Sequence, residues 1–298
     1  MRVGVAGFGK MGAAMAARLA ETGTTVKVWN RTAGRARDAG FDTAETPHAL
    51  AAESKIVVSS LFDADAVDAV FNGRDGLVGG ARGTLFIEMS TVSPETQRGL
   101  ARRVIEAGGA FIECPVSGTT GPARAGQLVG LAGGDVAVVQ RARPVLDKLC
   151  RRLEHVGDVG TGTETKLAVN LPLLAFWQAF GEAMALMSPL GKSPEWLVDL
   201  FSDTAGAAAV MKVKGPAIRS TLAGEDKVDP TFDIDAMRKD LRLMLNEAVD
   251  GSFELPVAKA TLASFDEASA SGWGRRDCAW IPAFCAAKAR RSHLLKQP

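Results

Sequence analysis

The chain contains no tyrosine and only three histidines, His48, His155 and His293. Both side chains are among those that enzymes use to donate or accept protons. The missing tyrosine excludes every mechanism that needs a catalytic tyrosine. No carboxylate is placed in the sequence to orient any of the three histidines, so we do not expect a catalytic histidine either.

Long apolar runs, an excess of charge and paired cysteines are also lacking. The apolar runs are far shorter than the roughly 20 residues that a membrane-spanning helix needs. The net charge is +1, with scattered Lys and Arg, which gives no electrostatic case for a nucleic-acid or membrane partner. The four cysteines show no metal-site spacing, so we expect no metal and structural thiols. The opening MRVGVAGFGK has no signal-peptide pattern, which predicts a cytoplasmic protein.

The 298 residues, 47% of them hydrophobic, are enough for two domains. Over residues 1–160, β-like runs such as RVGVAG and SKIVVSSL alternate with helical patterns such as PETQRGLARRVIEAG. This alternation predicts an α/β Rossmann domain with a doubly wound, mostly parallel sheet. Over residues 161–298 helical periodicity dominates, which predicts an all-α C-terminal domain joined to the first by a long interdomain helix.

A glycine-rich turn follows the first predicted strand and opens the first predicted helix. The sequence GFGKMG matches the G-x-G-x-x-G pattern. The first glycine would make the tight turn, the second would let a pyrophosphate approach the backbone, and the third would allow close helix packing. This setting predicts a dinucleotide site formed by Gly7, Phe8, Gly9, Lys10, Met11 and Gly12.

The second strand ends in VWNRT, where a site for NAD is expected to carry an Asp or Glu. The chain instead has Asn30, Arg31 and Thr32. A carboxylate would repel the 2′-phosphate of NADP, whereas guanidinium and hydroxyl groups bind phosphate. We therefore predict NADPH as the cofactor, with Arg35 as a second candidate contact.

The stretch GTGTETKLAVN places Lys166 and Asn170 four residues apart, on one face of a predicted long helix. TGTE has the pattern of a capping box, which predicts Thr161 as the N-cap and Lys166 in the second turn. A reductase must protonate the carbonyl oxygen, and the usual donors are Tyr, His and Lys. Without a tyrosine or an oriented histidine, Lys166 is the remaining candidate.

At this point the chain resembles the β-hydroxyacid dehydrogenase family over nearly its whole length. The matching stretches, in order, are GFGKMG, VWNRT, MSTVSPET, PVSGTTGPARAGQL, GTGTETKLAVN and MRKDLRLML. Within this 3-hydroxyisobutyrate dehydrogenase-like family, the chain is more similar to glyoxylate and succinic semialdehyde reductases than to the NAD-dependent 3-hydroxyisobutyrate dehydrogenases. The resemblance implies reduction of a small aldehyde or keto acid to the hydroxy acid.

The resemblance also implies roles for particular residues. Lys166 is expected to be the catalytic lysine, assisted by Asn170. Ser117, Gly118 and Thr119 are expected to bind the substrate carboxylate. Leu61, Phe62, Thr91 and Lys239 are expected to contact the cofactor. From the residues alone, the Ser117 loop is either an anion site or an ordinary turn, and Lys239 is a solvated helix charge.

Alternatives remain open. Imine reductases share the fold and the NRT signature but typically lack the lysine, and an NAD(P)-dependent 3-hydroxyisobutyrate dehydrogenase is a further alternative. A non-catalytic interaction module is a third. Pro172 inside the long helix, Thr119 and the bulky Trp273 and Trp280 depart from the family pattern and leave the substrate undecided. The family also implies a homodimer or larger oligomer.

Overall fold

The computed structural model describes residues 2–294 of the chain, and side chains as far as residue 291. Nine strands form one sheet. They are β1 (Arg2–Ala6), β2 (Thr25–Trp29), β3 (Asp42–Thr43), β4 (Ile56–Ser59), β5 (Leu85–Glu88), β6 (Ala110–Glu113), β7 (Val116–Ser117), β8 (Leu128–Gly133) and β9 (Cys150–Gly157).

The strand order is β3-β2-β1-β4-β5-β6-β8-β7, and β9 pairs with β8. The first six strands of this order are parallel, so their carboxyl ends meet at one edge of the sheet. Strand β8 runs antiparallel to β6 and β7. The predicted doubly wound, mostly parallel sheet is therefore confirmed. The two-residue strands β3 and β7 were not predicted, because two residues are too few to show a strand period.

Thirteen α-helices lie in the described part of the chain. They are α1 (Lys10–Glu21), α2 (Gly34–Asp38), α3 (Pro47–Ala52), α4 (Ala64–Asn72), α5 (Pro94–Glu106), α6 (Thr120–Ala125), α7 (Val136–Leu149), α8 (Thr161–Met187), α9 (Pro194–Ser202), α10 (Val210–Leu222), α11 (Ile234–Asp250), α12 (Pro256–Ala268) and α13 (Trp280–Leu294). None of the helices in this part of the chain is long and apolar enough to cross a membrane.

The centre of the sheet is buried on both faces because strands β1, β4, β5 and β6 are apolar almost throughout. One core packs the sheet against α1 and α7, with Met15 and Leu146 fully buried. The other packs it against α3, α4 and α5, with Leu50, Phe71 and Val104 fully buried. Continuous apolar strands covered on both faces are typical of parallel sheets.

The chain divides into two compact units between Leu167 and Ala168, inside α8. Helix α8 is 27 residues long and continues through Pro172. The first unit holds the sheet and the first turns of α8. The second holds the rest of α8 and the helices α9 to α13, in agreement with the predicted helical C-terminal half.

Candidate functional site

The glycine turn lies at the carboxyl edge of the sheet, between β1 and α1. Gly7 has φ +93°, and a Cβ there would collide with the carbonyl oxygen of Ser60. A Cβ on Gly12 would collide with the Gly7 carbonyl oxygen, so this glycine lets α1 start directly behind the turn. A Cβ on Gly9 would meet no atom within 4 Å. The turn is therefore tight on its inner side and open where a phosphate would approach the helix N-terminus.

Asn30, after β2, holds the glycine turn in place. Its Oδ1 accepts a hydrogen bond from the Phe8 N–H at 2.9 Å, and its Nδ2 donates to the Thr32 carbonyl oxygen at 2.8 Å. Phe8 itself is buried against Phe41, with ring centroids 5.4 Å apart. The neighbouring side chains of Arg31 and Thr32 are exposed. Asn30 therefore couples the turn to the segment that carries the predicted 2′-phosphate contacts.

A buried network joins the ends of β4 and β5. Glu88 is fully buried, and its carboxylate accepts hydrogen bonds from the Ser59 hydroxyl and, at 2.7 Å, from the Ser90 N–H. The Ser90 hydroxyl in turn accepts the Leu61 N–H at 2.8 Å. The network holds the two loops that carry the predicted cofactor contacts Leu61, Phe62 and Thr91.

Burial raises the pKa of Glu88 to about 7, although the hydrogen bonds from Ser59 and Ser90 oppose this shift. The carboxyl of Glu113 adds to the rise, because Glu88 and Glu113 are register partners at the ends of β5 and β6. The edge of the sheet thus holds two neighbouring buried carboxyl groups. Sequence inspection found neither, although both are acidic residues that end an apolar strand.

The predicted carboxylate-binding loop follows β6. Ser117 lies in β7 and is half-buried, and Gly118 follows with φ +130°. Thr119 precedes the short helix α6, and its carbonyl oxygen accepts the Ala123 N–H at 3.0 Å. The loop therefore carries two hydroxyl side chains and the N-terminus of α6 at the carboxyl edge of the sheet, and such donors are of the kind that bind anions.

The first turn of α8 is held by Glu113. One carboxylate oxygen accepts hydrogen bonds from the N–H groups of Gly160 and, at 2.9 Å, Gly162. The other accepts the N–H of Thr163 at 3.2 Å and its hydroxyl at 2.6 Å. Burial raises the pKa of Glu113, whereas these four donors favour its carboxylate form.

The predicted capping box at α8 is wrong. The hydroxyl of Thr161 donates to the Asp158 carbonyl oxygen instead of accepting from the helix, and Glu164 pairs with Arg98 at 2.7 Å. The Gly160 carbonyl oxygen accepts the first intrahelical bond, from Glu164. The local pattern fails because the helix begins at Thr161, one residue earlier than predicted, so that the Glu164 N–H bonds within the helix. A carboxylate from β6, distant in sequence, takes the N–H groups of Gly162 and Thr163.

Lys166 lies in the second turn of α8, as predicted, and is only 7% exposed. A lysine is rarely buried to this extent, because removing an ammonium group from water is costly.

The histidines lie elsewhere in the chain. His155 hydrogen-bonds to the Gly134 carbonyl oxygen at 2.8 Å, and His293 lies outside the residues whose side chains are described.

In the second unit, Asn170 belongs to a buried polar group that the sequence analysis missed in part. Asn170 is 4% exposed, and its Nδ2 donates to Asp240 Oδ2 at 2.9 Å. Asp240 Oδ1 lies 3.1 Å from Lys239 Nζ. Asp240 is 3% exposed and shares the buried face of α11 with Met237 and Leu241. The position of Asp240 among apolar residues of α11 could have indicated a buried polar group, because an acidic side chain on an apolar face needs a hydrogen-bond or charge partner.

The two bulky tryptophans of the second unit pack together. Trp273 and Trp280 make an edge contact with ring centroids 5.2 Å apart, and the guanidinium of Arg276 lies 4.7 Å and 4.2 Å from the two rings. Trp280 is 4% exposed. The two large rings therefore pack against each other and against the Arg276 guanidinium.

Comparisons with known proteins agree with the geometry of both units. Residues 2–157 match the NAD binding domain of 6-phosphogluconate dehydrogenase. Residues 160–283 match the NAD-binding domain of NADP-dependent 3-hydroxyisobutyrate dehydrogenase. Glyoxylate/succinic semialdehyde reductase 1 of Arabidopsis thaliana is 34% identical over 281 residues, which cover 93% of this chain and 96% of the reductase.

Solved structures show the same similarity. The crystal structure of a 3-hydroxyisobutyrate dehydrogenase from Salmonella typhimurium matches with a TM-score of 0.85 and 25% identity, over 95% of this chain and 99% of that one. The structure of Psf3 in complex with NADP+ and 2-OPP matches with the same TM-score, identity and coverage. The chain belongs to the β-hydroxyacid dehydrogenase family, whose members are NAD(P)-dependent oxidoreductases.

Proposed function

We propose that the protein is an NADPH-dependent reductase of small aldehyde or keto acids, with Lys166 as the proton donor to the carbonyl oxygen. The observation that carries the proposal is a lysine only 7% exposed, on a helix whose first turn is tied to the end of β6. The glycine turn lies at the same edge of the sheet, because β1 and β6 run parallel within it.

The residues present fit a nicotinamide dinucleotide. Gly9 leaves room for a pyrophosphate, and the N-terminus of α1 supplies N–H groups. Arg31 and Thr32 are exposed beside the turn and suit a 2′-phosphate. When bound, the cofactor supplies the hydride that the reduction needs.

The chain's own residues would supply the remaining steps. Ser117, Gly118 and Thr119 would hold the carboxylate of the substrate and so fix its carbonyl group. Lys166 would deliver a proton to the carbonyl oxygen as hydride arrives at the carbon. A positioned proton donor contributes about 10²–10⁴-fold in rate.

Small aldehyde acids are the proposed substrates for two reasons. The loop after β6 offers donors for one carboxylate, and the Arabidopsis relative is named for glyoxylate and succinic semialdehyde. Lys166 favours a carbonyl over an imine as substrate, because hydride addition to a carbonyl carbon leaves an oxygen anion that needs a proton donor, whereas an imine nitrogen is basic enough to be protonated beforehand.

A substrate panel tests the proposal. Purified protein is assayed for NADPH and NADH oxidation with glyoxylate, succinic semialdehyde and a cyclic imine, and for reduction of NAD+ and NADP+ with 3-hydroxyisobutyrate. We expect the highest kcat/KM for an aldehyde acid with NADPH. Turnover of the imine alone, or of 3-hydroxyisobutyrate with NAD+ alone, would contradict the proposal.

The Lys166→Ala variant tests the mechanism. We expect kcat on the best aldehyde acid to fall by about 10²–10⁴-fold, with the Kd for NADPH nearly unchanged. Lys166→Arg should also be inactive, because a guanidinium group is far too weak an acid. Near wild-type turnover by Lys166→Ala would show that the lysine is not the proton donor.

A further inference from the structure

Glu113 is a buried carboxylate with no part in binding or proton transfer as proposed above. It ends β6 and is fully buried. All four of its hydrogen-bond donors come from the start of α8, which is 47 to 50 residues later in the chain. A carboxylate that gathers this many donors from one helical turn fixes both the position and the rotation of that turn.

The turn that Glu113 holds presents the same helix face as Lys166. Lys166 follows Thr163 by three residues and Gly162 by four, which places the three on one face of the helix. Gly162, Thr163 and Lys166 are all buried, whereas Glu164 is exposed. Loss of hydrogen bonds between Glu113 and the first turn of α8 would therefore shift the position of Lys166.

Two glycines bring the carboxylate and the helix together. A Cβ on Gly133 of β8 would lie 2.5 Å from Glu113 Oε1 and 3.0 Å from the Gly162 nitrogen. A Cβ on Gly162 would lie 3.1 Å from Glu113 Oε1 and 2.5 Å from the Leu131 carbonyl oxygen. The close approach of β8, Glu113 and α8 leaves no space for a side chain at either position.

Glu113 also stands at the start of the segment that leads to the carboxylate-binding loop, since Ser117 follows it by four residues. We propose that Glu113 is a positioning residue that sets the location of Lys166 relative to the Ser117–Thr119 loop by holding the first turn of α8. This inference rests on the proposed role of Lys166. It assigns to Glu113 an effect on turnover beyond an effect on folding.

A double-mutant cycle between Glu113 and Lys166 tests the proposal in the full chain with NADPH and glyoxylate, or with whichever aldehyde acid the panel selects. Glu113→Gln keeps the volume of the side chain but cannot accept all four donors. We expect kcat to fall about 10- to 100-fold, because a small misplacement of a catalytic group has effects of this size. The Kd for NADPH should change by less than about twofold.

In the Lys166→Ala background, the same Glu113→Gln change should alter the residual turnover by less than about twofold, because a residue that acts through Lys166 has no effect without it. Equal fold-losses in the two backgrounds would overturn the inference. An unchanged kcat in Glu113→Gln would overturn it as well. Neither result would contradict the proposed role of Lys166, because the Lys166→Ala single variant tests that role separately.

Matched controls separate positioning from general damage. Glu164→Gln removes an exposed carboxylate from the same turn of α8, and we expect no more than about a twofold change in kcat. A similar loss in Glu164→Gln would overturn the inference.

A second pair of variants applies where Glu113→Gln does not fold. Thr163→Val removes the hydroxyl that donates to Glu113, while Thr165→Val removes one that donates to the Thr161 carbonyl oxygen within the helix. We expect Thr163→Val to lower kcat by about 3- to 10-fold and Thr165→Val to leave it nearly unchanged. In the Lys166→Ala background, Thr163→Val should have no effect on kcat. Equal effects of the two valine variants would contradict the proposal.

Discussion

Asn30 illustrates how one side chain serves the candidate site at the scale of the residue. It occupies the position where a site for NAD is expected to carry an acid, and its amide bridges the Phe8 N–H and the Thr32 carbonyl oxygen. An uncharged amide makes both bonds without repelling a phosphate. The next residue, Arg31, is exposed beside the turn and carries the positive charge.

Arg31→Ala should therefore weaken NADPH binding far more than NADH binding. Loss of a charged hydrogen bond to the 2′-phosphate costs about 1.5–3 kcal/mol, which corresponds to roughly 10- to 150-fold in Kd. Titration of the purified variant with each cofactor measures the two Kd values. The control is Arg37→Ala, which removes the same charge from the exposed face of α2. This variant should leave the ratio of the Kd for NADPH to the Kd for NADH unchanged.

Equal losses of affinity for NADPH and NADH in Arg31→Ala would show that the guanidinium does not read the 2′-phosphate. In that case Arg35, which is also exposed and follows Arg31 by four residues, is the next residue to change.

At the scale of the element, the carboxyl ends of β5 and β6 are organised by two glutamates in register. Glu88 ties β5 to the loop after β4, and Glu113 ties β6 to α8. Both carboxyl groups are fully buried, and burial is the first cause of the raised pKa of each. The ends of these elements are therefore held by polar groups whose charge has a cost in stability.

Glu88 predicts a pH dependence of stability. Its pKa is about 7 in the folded state, against 4.5 for the ordinary carboxyl. The folded state therefore binds the proton more tightly, and its contribution is largest below the unfolded pKa. That contribution, about 3 kcal/mol at most, is lost as the pH rises through the window from 4.5 to about 7.

Glu88→Gln should remove this dependence. The glutamine amide can donate to the Ser59 hydroxyl and accept the Ser90 N–H, so the network is kept without a titrating group. We expect the variant to melt at a higher temperature than the wild type at about pH 8, with a smaller difference at about pH 5. The exposed Glu95→Gln on α5 is the control. A wild-type pH dependence in Glu88→Gln would contradict the assignment.

At the scale of the whole molecule, helix α8 and the apolar surface of the second unit point to self-association. The helix has 27 residues, or about 40 Å at 1.5 Å per residue. Leu174, Trp177 and Phe180 of its apolar run are buried within the single chain. Other large apolar side chains of the second unit are more than two-fifths exposed, and these are Val169, Leu186, Leu190, Trp196, Leu200, Val213, Val249, Phe253 and Val257.

We therefore expect a dimer or larger oligomer, which buries part of this surface. Light scattering at about micromolar protein measures the mass directly. Leu186→Glu, at a side chain that is 81% exposed in the single chain, should shift the protein toward monomer. Ile105→Glu on α5, 60% exposed in the first unit, is the matched control. A wild-type monomer would refute the expectation.

Much of the fold was predictable because its signals are local. Strands β1, β2, β4, β5 and β6 are short apolar runs between turns, and the helices between them have a helical period, so each element is readable from a window of a few residues. The glycine turn was predictable for the same reason, since the collisions at Gly7 and Gly12 involve neighbouring segments of one βα unit. The N-cap predicted for α8 was wrong, because the carboxylate of Glu113, distant in sequence, accepts the N–H groups of Gly162 and Thr163.

The sequence by itself determined the fold class, the glycine turn, the acid-free end of β2 and the placement of Lys166 in the second turn of a long helix. Each depends on residue types within about one helical turn or one strand, where side-chain periodicity and turn chemistry act. Only the tertiary structure decided that Glu113 caps α8, that Asp240 partners Asn170 and that Glu88 joins two strand ends. The bonds from Gly162 to Glu113, from Asn170 to Asp240 and from Ser59 to Glu88 span 49, 70 and 29 residues. A contact between such distant segments depends on how the elements pack, which no local pattern records.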